Sequence, residues 1–233
     1  MTAFKILARA LALALCLVGP VAAQVYIPPG ANLDVPAGST LDLSCSSLSM
    51  DGTLNLNGGL LTMDQGAVFG NGSQVTGSGG ALSVGGDFAT AAPLDLGTNS
   101  LTLRDGCNGG NSSQITGTIV VQNLTLSSTT GRTFVLPAGA NITVLGTLTL
   151  QGAPGQPVQL ASAGGTAVIN LGPSATVSRN FATVPPSVQI GAVAVALAPT
   201  AIPTLDEWAL LILSAALALV GMRVVRQRKF LPA

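Results

Sequence analysis

Between residue 24 and about residue 171, apolar side chains recur at every second position in short runs. The runs include 39–43 (STLDL), 52–56 (GTLNL), 100–103 (SLTL), 117–121 (GTIVV), 124–126 (LTL), 142–144 (ITV), 146–150 (GTLTL) and 167–171 (AVINL). A period of two is the mark of a half-buried β-strand. No window repeats apolar residues at i, i+3, i+4 and i+7 over a helical length. Pairs such as Asp51-Gly52, Asn57-Gly58, Asn71-Gly72 and Asp105-Gly106 punctuate the runs as turn signals.

One unit recurs directly. Residues 27–35 (IPPGANLDV) resemble 35–43 (VPAGSTLDL), and both resemble 136–144 (LPAGANITV). Each is a Pro/Gly turn leading into an apolar-polar-apolar strand, and repetition of such a unit marks a stacked architecture. Two all-β folds fit, a sandwich and a solenoid. Sandwich cores usually spend aromatics, and this stretch has only Tyr26, Phe69, Phe88, Phe134 and Phe181. Very short strands with Gly and Asn at the corners favour a single-domain β-solenoid, a parallel β-helix, over residues 24–184. About 150 residues predict seven or eight rungs of ~20 residues. Residues 185–201, with Pro185-Pro186 and a run of small residues, read as a Pro/Ala-rich linker.

The ends differ from this body. Residues 1–23 carry Lys5 and Arg9, then an unbroken apolar run over 10–18, then Gly19-Pro20 and the small residues Val21, Ala22 and Ala23. This is the layout of a secretory signal peptide, with cleavage expected after Ala23. Nine apolar residues are too few to span a bilayer. Export removes Cys16 and carries Cys45 and Cys107 into an oxidising compartment, where they are a candidate disulfide. They are 62 residues apart. At ~20 residues per rung and ~4.8 Å per rung that is roughly 14 Å along the axis, beyond the ~7 Å a disulfide tolerates between Cα atoms. The bond requires one cysteine to sit in a loop that folds back, and residues 106–113 (GCNGGNSS) are Gly-rich enough to do so.

Charge narrows the function classes. Only 8% of the 233 residues are charged, and the chain has no His. From 24 to 203 the charged residues are Arg104, Arg132, Arg179 and seven Asp. Nucleic-acid binding needs Lys and Arg in number, so no nucleic acid is expected as a partner. The absence of His removes Ser-His-Asp and Cys-His catalysis and imidazole metal sites. No cofactor, metal or catalytic residue is predicted. The nearest approach to a catalytic group is Asp95, Arg104 and Asp105, which are close in sequence and would resemble an acidic-polysaccharide enzyme if they met on one face. Asp105-Gly106 is equally a solvated turn. Asn71, Asn111, Asn123 and Asn141 match the glycosylation pattern, which arises by chance in a body so rich in Asn, Ser and Thr, and no role is assigned.

The C-terminal residues 202–230 have three parts. Ile202, Pro203, Thr204 and Leu205 are followed by Trp208, then by an apolar stretch, then by Arg223, Arg226, Arg228 and Lys229. A helix over 208–225 would be about 27 Å long, close to the ~30 Å of bilayer hydrocarbon. Trp208 suits one interface, and the basic cluster suits the cytoplasmic side by the positive-inside rule. This arrangement resembles the IPTL-CTERM sorting signal of Gram-negative bacteria, a relative of PEP-CTERM, with Ala209 where that family usually has Gly. The resemblance covers about the last 30 residues. It implies that the chain is a substrate of an exosortase-type membrane protease or transpeptidase, and that it supplies no catalytic group itself.

Together these readings predict an exported, cell-surface structural or adhesive β-helix protein. Its precursor would be anchored in the inner membrane facing the periplasm, and surface polysaccharide is a candidate partner. The alternatives are a carbohydrate-active β-helix enzyme and a plain membrane-anchored periplasmic module.

Overall fold

The computed structural model describes residues 23–107 and 109–191 of the 233. The signal segment up to residue 22, the sorting motif with Trp208, the helix expected over 208–225 and the basic cluster lie outside the described residues.

The described chain is all β, and its strands stack as successive rungs. Rung 1 is β1 (Gln24–Ile27), β2 (Asn32–Asp34) and β3 (Thr40–Asp42). Rung 2 is β4 (Ser47–Met50), β5 (Thr53–Asn55) and β6 (Leu60–Met63). Rung 3 is β7 (Ala67–Phe69), β8 (Gln74–Thr76) and β9 (Ala81–Val84), and rung 4 is β10 (Phe88–Thr90), β11 (Leu94–Asp95) and β12 (Ser100–Leu103). In rung 5, β13 (Ser112–Thr116) precedes the long β14 (Thr118–Ser127), and in rung 6, β15 (Thr133–Pro137) precedes β16 (Asn141–Gln151). Rung 7 is β17 (Val158–Ala163), β18 (Ala167–Leu171) and β19 (Thr176–Asn180). A partial eighth rung holds β20 (Ala182–Thr183) and β21 (Val188–Ile190).

Every pairing between named strands is parallel, and each strand pairs with the strands one rung away. Three faces result. The first is β1-β4-β7-β10-β13-β15-β17-β20. The second begins β2-β5-β8, continues through β11, and takes the first halves of β14 and β16 before β18 and β21. The third is β3-β6-β9-β12, then the second halves of β14 and β16, then β19. β14 and β16 turn a corner without breaking, at a register shift between Val121 and Asn123. A parallel solenoid of about seven turns is the fold that the alternation predicts.

The core is a set of columns. On the third face, Leu61, Leu82, Leu101, Leu124 and Leu148 lie in register, as do Met63, Val84, Leu103, Leu126 and Leu150, and all ten are buried. Each residue adds one layer of side chain at the ~4.8 Å rung spacing, so a narrow interior fills with unbranched and singly branched aliphatics. The first face instead balances volume between rungs. Phe88 sits over Ala67, Phe69 pairs in register with Thr90, and Phe134 is opposite Ser113. The Phe69 and Phe88 rings meet at 5.4 Å between centroids.

The corners explain the repeat. Pro28 to Gly30 and Pro137 to Gly139 turn the chain from the first face to the second, whereas Pro36 to Gly38 turns it from the second to the third. The repeated unit is one strand with its corner, a third of a rung. At another corner, buried Asn99 accepts from Gly80 N at 2.8 Å and donates to Leu96 O at 2.8 Å and Gly77 O at 3.3 Å. One amide side chain thereby satisfies backbone groups of two rungs.

One boundary differs from the sequence reading. β21 lies inside 185–201, the stretch read as linker, yet it pairs with β18 and buries Val188. The strand pattern therefore runs on to Ile190. Arg179, in β19, pairs with Leu150 and so occupies the column filled by leucines in the rungs before it. It is exposed, because no strand among the described residues covers that edge of the third face.

Candidate functional site

The third face is also regular outside. Its outward column reads Asp42, Thr62, Ser83, Thr102, Thr125, Thr149, Ser178, one residue per rung. A second outward column, two residues upstream, ends Ser100, Asn123, Thr147, Thr176. This column is bonded along its length. Asn123 Nδ2 donates to Ser100 Oγ at 3.3 Å, and the Thr147 and Thr176 hydroxyls are 3.2 Å apart. Over rungs 4 to 7 the surface is thus a sheet of hydroxyls and one amide, with no charge, about 14 Å tall at the usual rung spacing.

Arg104 closes off the lower part of this sheet. It follows β12, and its Nε donates to Ser83 Oγ at 2.8 Å while Nη2 donates to Thr62 Oγ1 at 2.8 Å. Nη2 also pairs with Asp64 Oδ1 at 2.6 Å. The guanidinium lies along three rungs and neutralises the acid beside it.

Asp105 sits at the next position and has a different task. Its Oδ1 accepts from Ser128 Oγ at 2.7 Å and Thr130 Oγ1 at 3.0 Å, and its Oδ2 accepts from Thr129 N at 2.7 Å and Thr129 Oγ1 at 3.1 Å. Arg132, 2% exposed, places Nε 3.4 Å from Oδ1, an ion pair that falls short of hydrogen-bond geometry. Arg132 Nη1 donates to Ser113 Oγ at 2.6 Å and to Ser112 O at 3.2 Å. Burial opposes the Asp105 charge, but the four hydrogen bonds from 128–130 outweigh it and hold the carboxyl below its ordinary 3.8. The group is a clamp joining rung 4 to the corner of rung 5. A shallow cleft of about 350 Å³ opens beside it, lined by Arg104, Asp105, Ser127, Thr129 and Gln151 among others.

Asp95 is elsewhere. It lies on the second face, in β11, and its carboxylate accepts from Gly97 N at 2.8 Å within its own turn. Arg104 and Asp105 share a corner, but the structure does not bring Asp95 to them. Among the described residues no three Asp, Glu, Cys or His side chains form a metal-binding group.

The cysteines meet at the same corner from the other side. After Arg104 the chain turns down the axis instead of climbing. Cys107 N donates to Asp64 O at 3.0 Å, although Asp64 belongs to the end of rung 2 and Arg104 to the end of rung 4. Glycine permits this descent, since a Cβ on Gly106 would run into the carbonyl oxygens of Gly85 and Asp64. Cys45 lies one rung below Gln65, whose Nε2 donates to Cys45 O at 2.7 Å. Both thiols are free and exposed. The Cys107 thiol nearby is the chief cause that pushes the Cys45 thiol up to about 11.

At the N-terminal edge, Ala23 O accepts from Ser47 N at 3.0 Å, and β1 starts at Gln24. The residue read as the cleavage position is thus joined to the ladder. Among the described residues no helix is long and apolar enough to cross a membrane.

The fold and this surface define an all-β parallel solenoid with a hydroxyl-lined face. Residues 200–229 match the family model of the IPTL-CTERM motif. The chain carries an IPTL-CTERM sorting signal at its C-terminus, on the segment holding Ile202, Pro203, Thr204, Leu205 and Trp208. Such a signal implies an exported protein processed at the membrane by an exosortase-type enzyme. No curated protein and no solved structure matches the chain.

Proposed function

We propose that this chain is a non-enzymatic surface protein: a β-solenoid exported through its N-terminal signal, held in the inner membrane by residues 208–225, cut near Ile202–Trp208 and released or attached at the cell exterior. The observation that carries the reading is the match of 200–229 to the sorting motif on a chain whose folded part is a solenoid. Pro203 keeps Ile202 extended and stops a helix from running upstream, which presents a strand-like segment to the sorting enzyme. The test is the C-terminal peptide of the mature protein, read by mass spectrometry from the native host. A terminus within or near 202–208 is expected, and dominance of intact chain ends carrying Arg228-Lys229-Phe230 would reduce the segment to an anchor.

The adhesive part of the reading rests on the outward columns of the third face. Uncharged hydroxyls at fixed spacing on a rigid sheet suit the hydroxyl-rich surface of an extended polysaccharide, with Arg104 and Gln151 at the border as planar hydrogen-bonding groups. A structural role fits the chemistry of the corner better than catalysis does. Both Asp105 oxygens are occupied by 128–130, and Arg104 is bonded to Ser83, Thr62 and Asp64. Retention of the mature protein on an immobilised polyuronate and on a neutral glucan checks both ideas. Binding that is lost in Thr125→Lys, without shortening of the polymer, supports adhesion. Depolymerisation abolished by Asp105→Asn would favour the enzyme.

A further inference from the structure

We propose that Cys45 and Cys107 close an intramolecular disulfide when the folded chain meets an oxidising environment, and that the bond covalently ties the end of rung 1 to the loop that follows rung 4. The descent after Arg104 makes it geometrically accessible. Cys107 is three rungs from Cys45 along the chain, yet its amide is bonded to Asp64 O at 3.0 Å. That bond sets it directly against Asp64 at the end of rung 2, and Cys45 lies one rung below Gln65, the next residue. The fold-back thus cuts the three-rung separation to no more than about two rungs of ~4.8 Å, and the Cys107 side chain reaches the Cys45 thiol, as a disulfide requires. Gly85 and Gly106 are what permit the approach, because side chains there would hold the loop off the ladder. Exposure of both sulfurs gives an oxidant access.

The reaction is ordinary thiol–disulfide exchange. The Cys107 thiolate attacks a sulfur of the oxidant, a low-molecular-weight disulfide or a thiol oxidoreductase, and one oxidant thiolate leaves. The Cys45 thiol then loses its proton and attacks the Cys107 sulfur of this mixed disulfide. The Sγ–Sγ bond forms and the second oxidant thiolate leaves. Two electrons and two protons pass from the cysteines to the oxidant, which ends as two thiols. The consequence is specific to a solenoid. Stability here is local, since each rung contacts only its neighbours. A bond that skips rungs makes rungs 1 to 4 open together or not at all, and it fixes the turn at Gly106 and Cys107 next to the Asp105 clamp.

That the bond forms in the cell rests on the export reading, and two measurements separate the claims. The full chain carrying Cys16→Ser, purified reduced in detergent, is equilibrated with oxidised glutathione and then alkylated. Loss of both thiols, a mass lower by two hydrogens and a cross-linked Cys45–Cys107 peptide pair are expected. Cys45→Ser should give only a glutathione adduct on Cys107. Two free thiols, or a disulfide between copies, would overturn the pair. The same peptides are then taken from native-host cells quenched with acid and alkylating agent. Pairing in the purified chain with free thiols in the cell would overturn export and leave the disulfide geometry standing.

Discussion

Arg132 Nε lies 3.4 Å from Asp105 Oδ1, and these two residues join successive rungs at one corner of the solenoid. The guanidinium is 2% exposed, whereas the carboxylate keeps about a quarter of its side chain in water. The burden of the pair therefore falls on Arg132, and losing its counter-ion leaves a buried charge without compensation.

Replacing Asp105 with Ala is expected to destabilise the solenoid by about 3 kcal/mol, the lower end for breaking a buried pair. The partial exposure of Asp105 keeps it from the upper end. Arg132→Met together with Asp105→Ala should recover part of the loss, since the buried charge is gone. Urea unfolding of the four chains of this double-mutant cycle gives the coupling, and simple additivity would show that the two residues act independently.

The same carboxylate sets an acid limit. Its folded pKa is below the ordinary 3.8, so its contribution is fully present above about pH 4. The contribution is lost as the pH falls through the lower folded value. Stability measured from pH 7 downward should be flat in this term to about pH 4 and decline below it. In Asp105→Asn that decline should be shallower. Superimposable pH profiles for the two proteins would remove Asp105 as the acid-sensitive group.

Cys45 should be a slow nucleophile in the reduced protein. Its thiol, pushed up to about 11 by Cys107, is almost wholly protonated at pH 8. In Cys107→Ala that chief cause disappears, the pKa falls toward the ordinary 9.0, and iodoacetamide should modify Cys45 faster at the same pH. An unchanged or slower rate would contradict the contact between the two thiols. Closing the pair should raise the unfolding free energy by about 4 kcal/mol in the chain-entropy picture of a 62-residue loop.

The sorting segment gives a prediction in the native host. Pro disfavours a helix interior by about 3 kcal/mol, so under the proposed processing Pro203→Ala should allow the helix expected over 208–225 to extend upstream past Thr204 and hide the motif. Uncut precursor should accumulate. Exchanging Arg223, Arg226, Arg228 and Lys229 for Gln should act differently, letting some chains slip through uncut. Immunoblots of membrane and culture fractions distinguish the two, and normal processing of both variants would deny the segment its role.

What could be read in the sequence followed from locality. The second and third faces announced themselves through runs such as 52–56 and 146–150, where leucines alternate with Thr or Asn. The first face was harder to see, because Ala67, Thr90 and Ser113 hold inward positions there. Each is small because Phe88, Phe69 or Phe134 fills the space from the next rung, some twenty residues away, and no local window contains both partners. The fold-back at Gly106 was readable as permission, since the stretch is Gly-rich, but its direction came only from the bond to Asp64. Arg132 gave no sign of burial. Its environment is assembled from Ser113, Ser128 and Asp105, which lie on separate elements. Asp95 stays apart from Asp105 because β11 belongs to the second face, and its carboxylate accepts from Gly97 N within its own turn.

Arg179 places a charge at the open edge of the third face among the described residues. A ladder of parallel rungs has no intrinsic end, because the last rung is as good a template as any before it, and a second copy laid on top would continue the register. Val177 and Phe181, both exposed near that end, would favour such growth. The guanidinium stands where the next copy's ladder would ask for a leucine, and covering it would strand a charge without a counter-ion. An arginine at an inward position of that edge thus works against a second copy continuing the ladder there, in the way inward charges guard the open edges of other sheets.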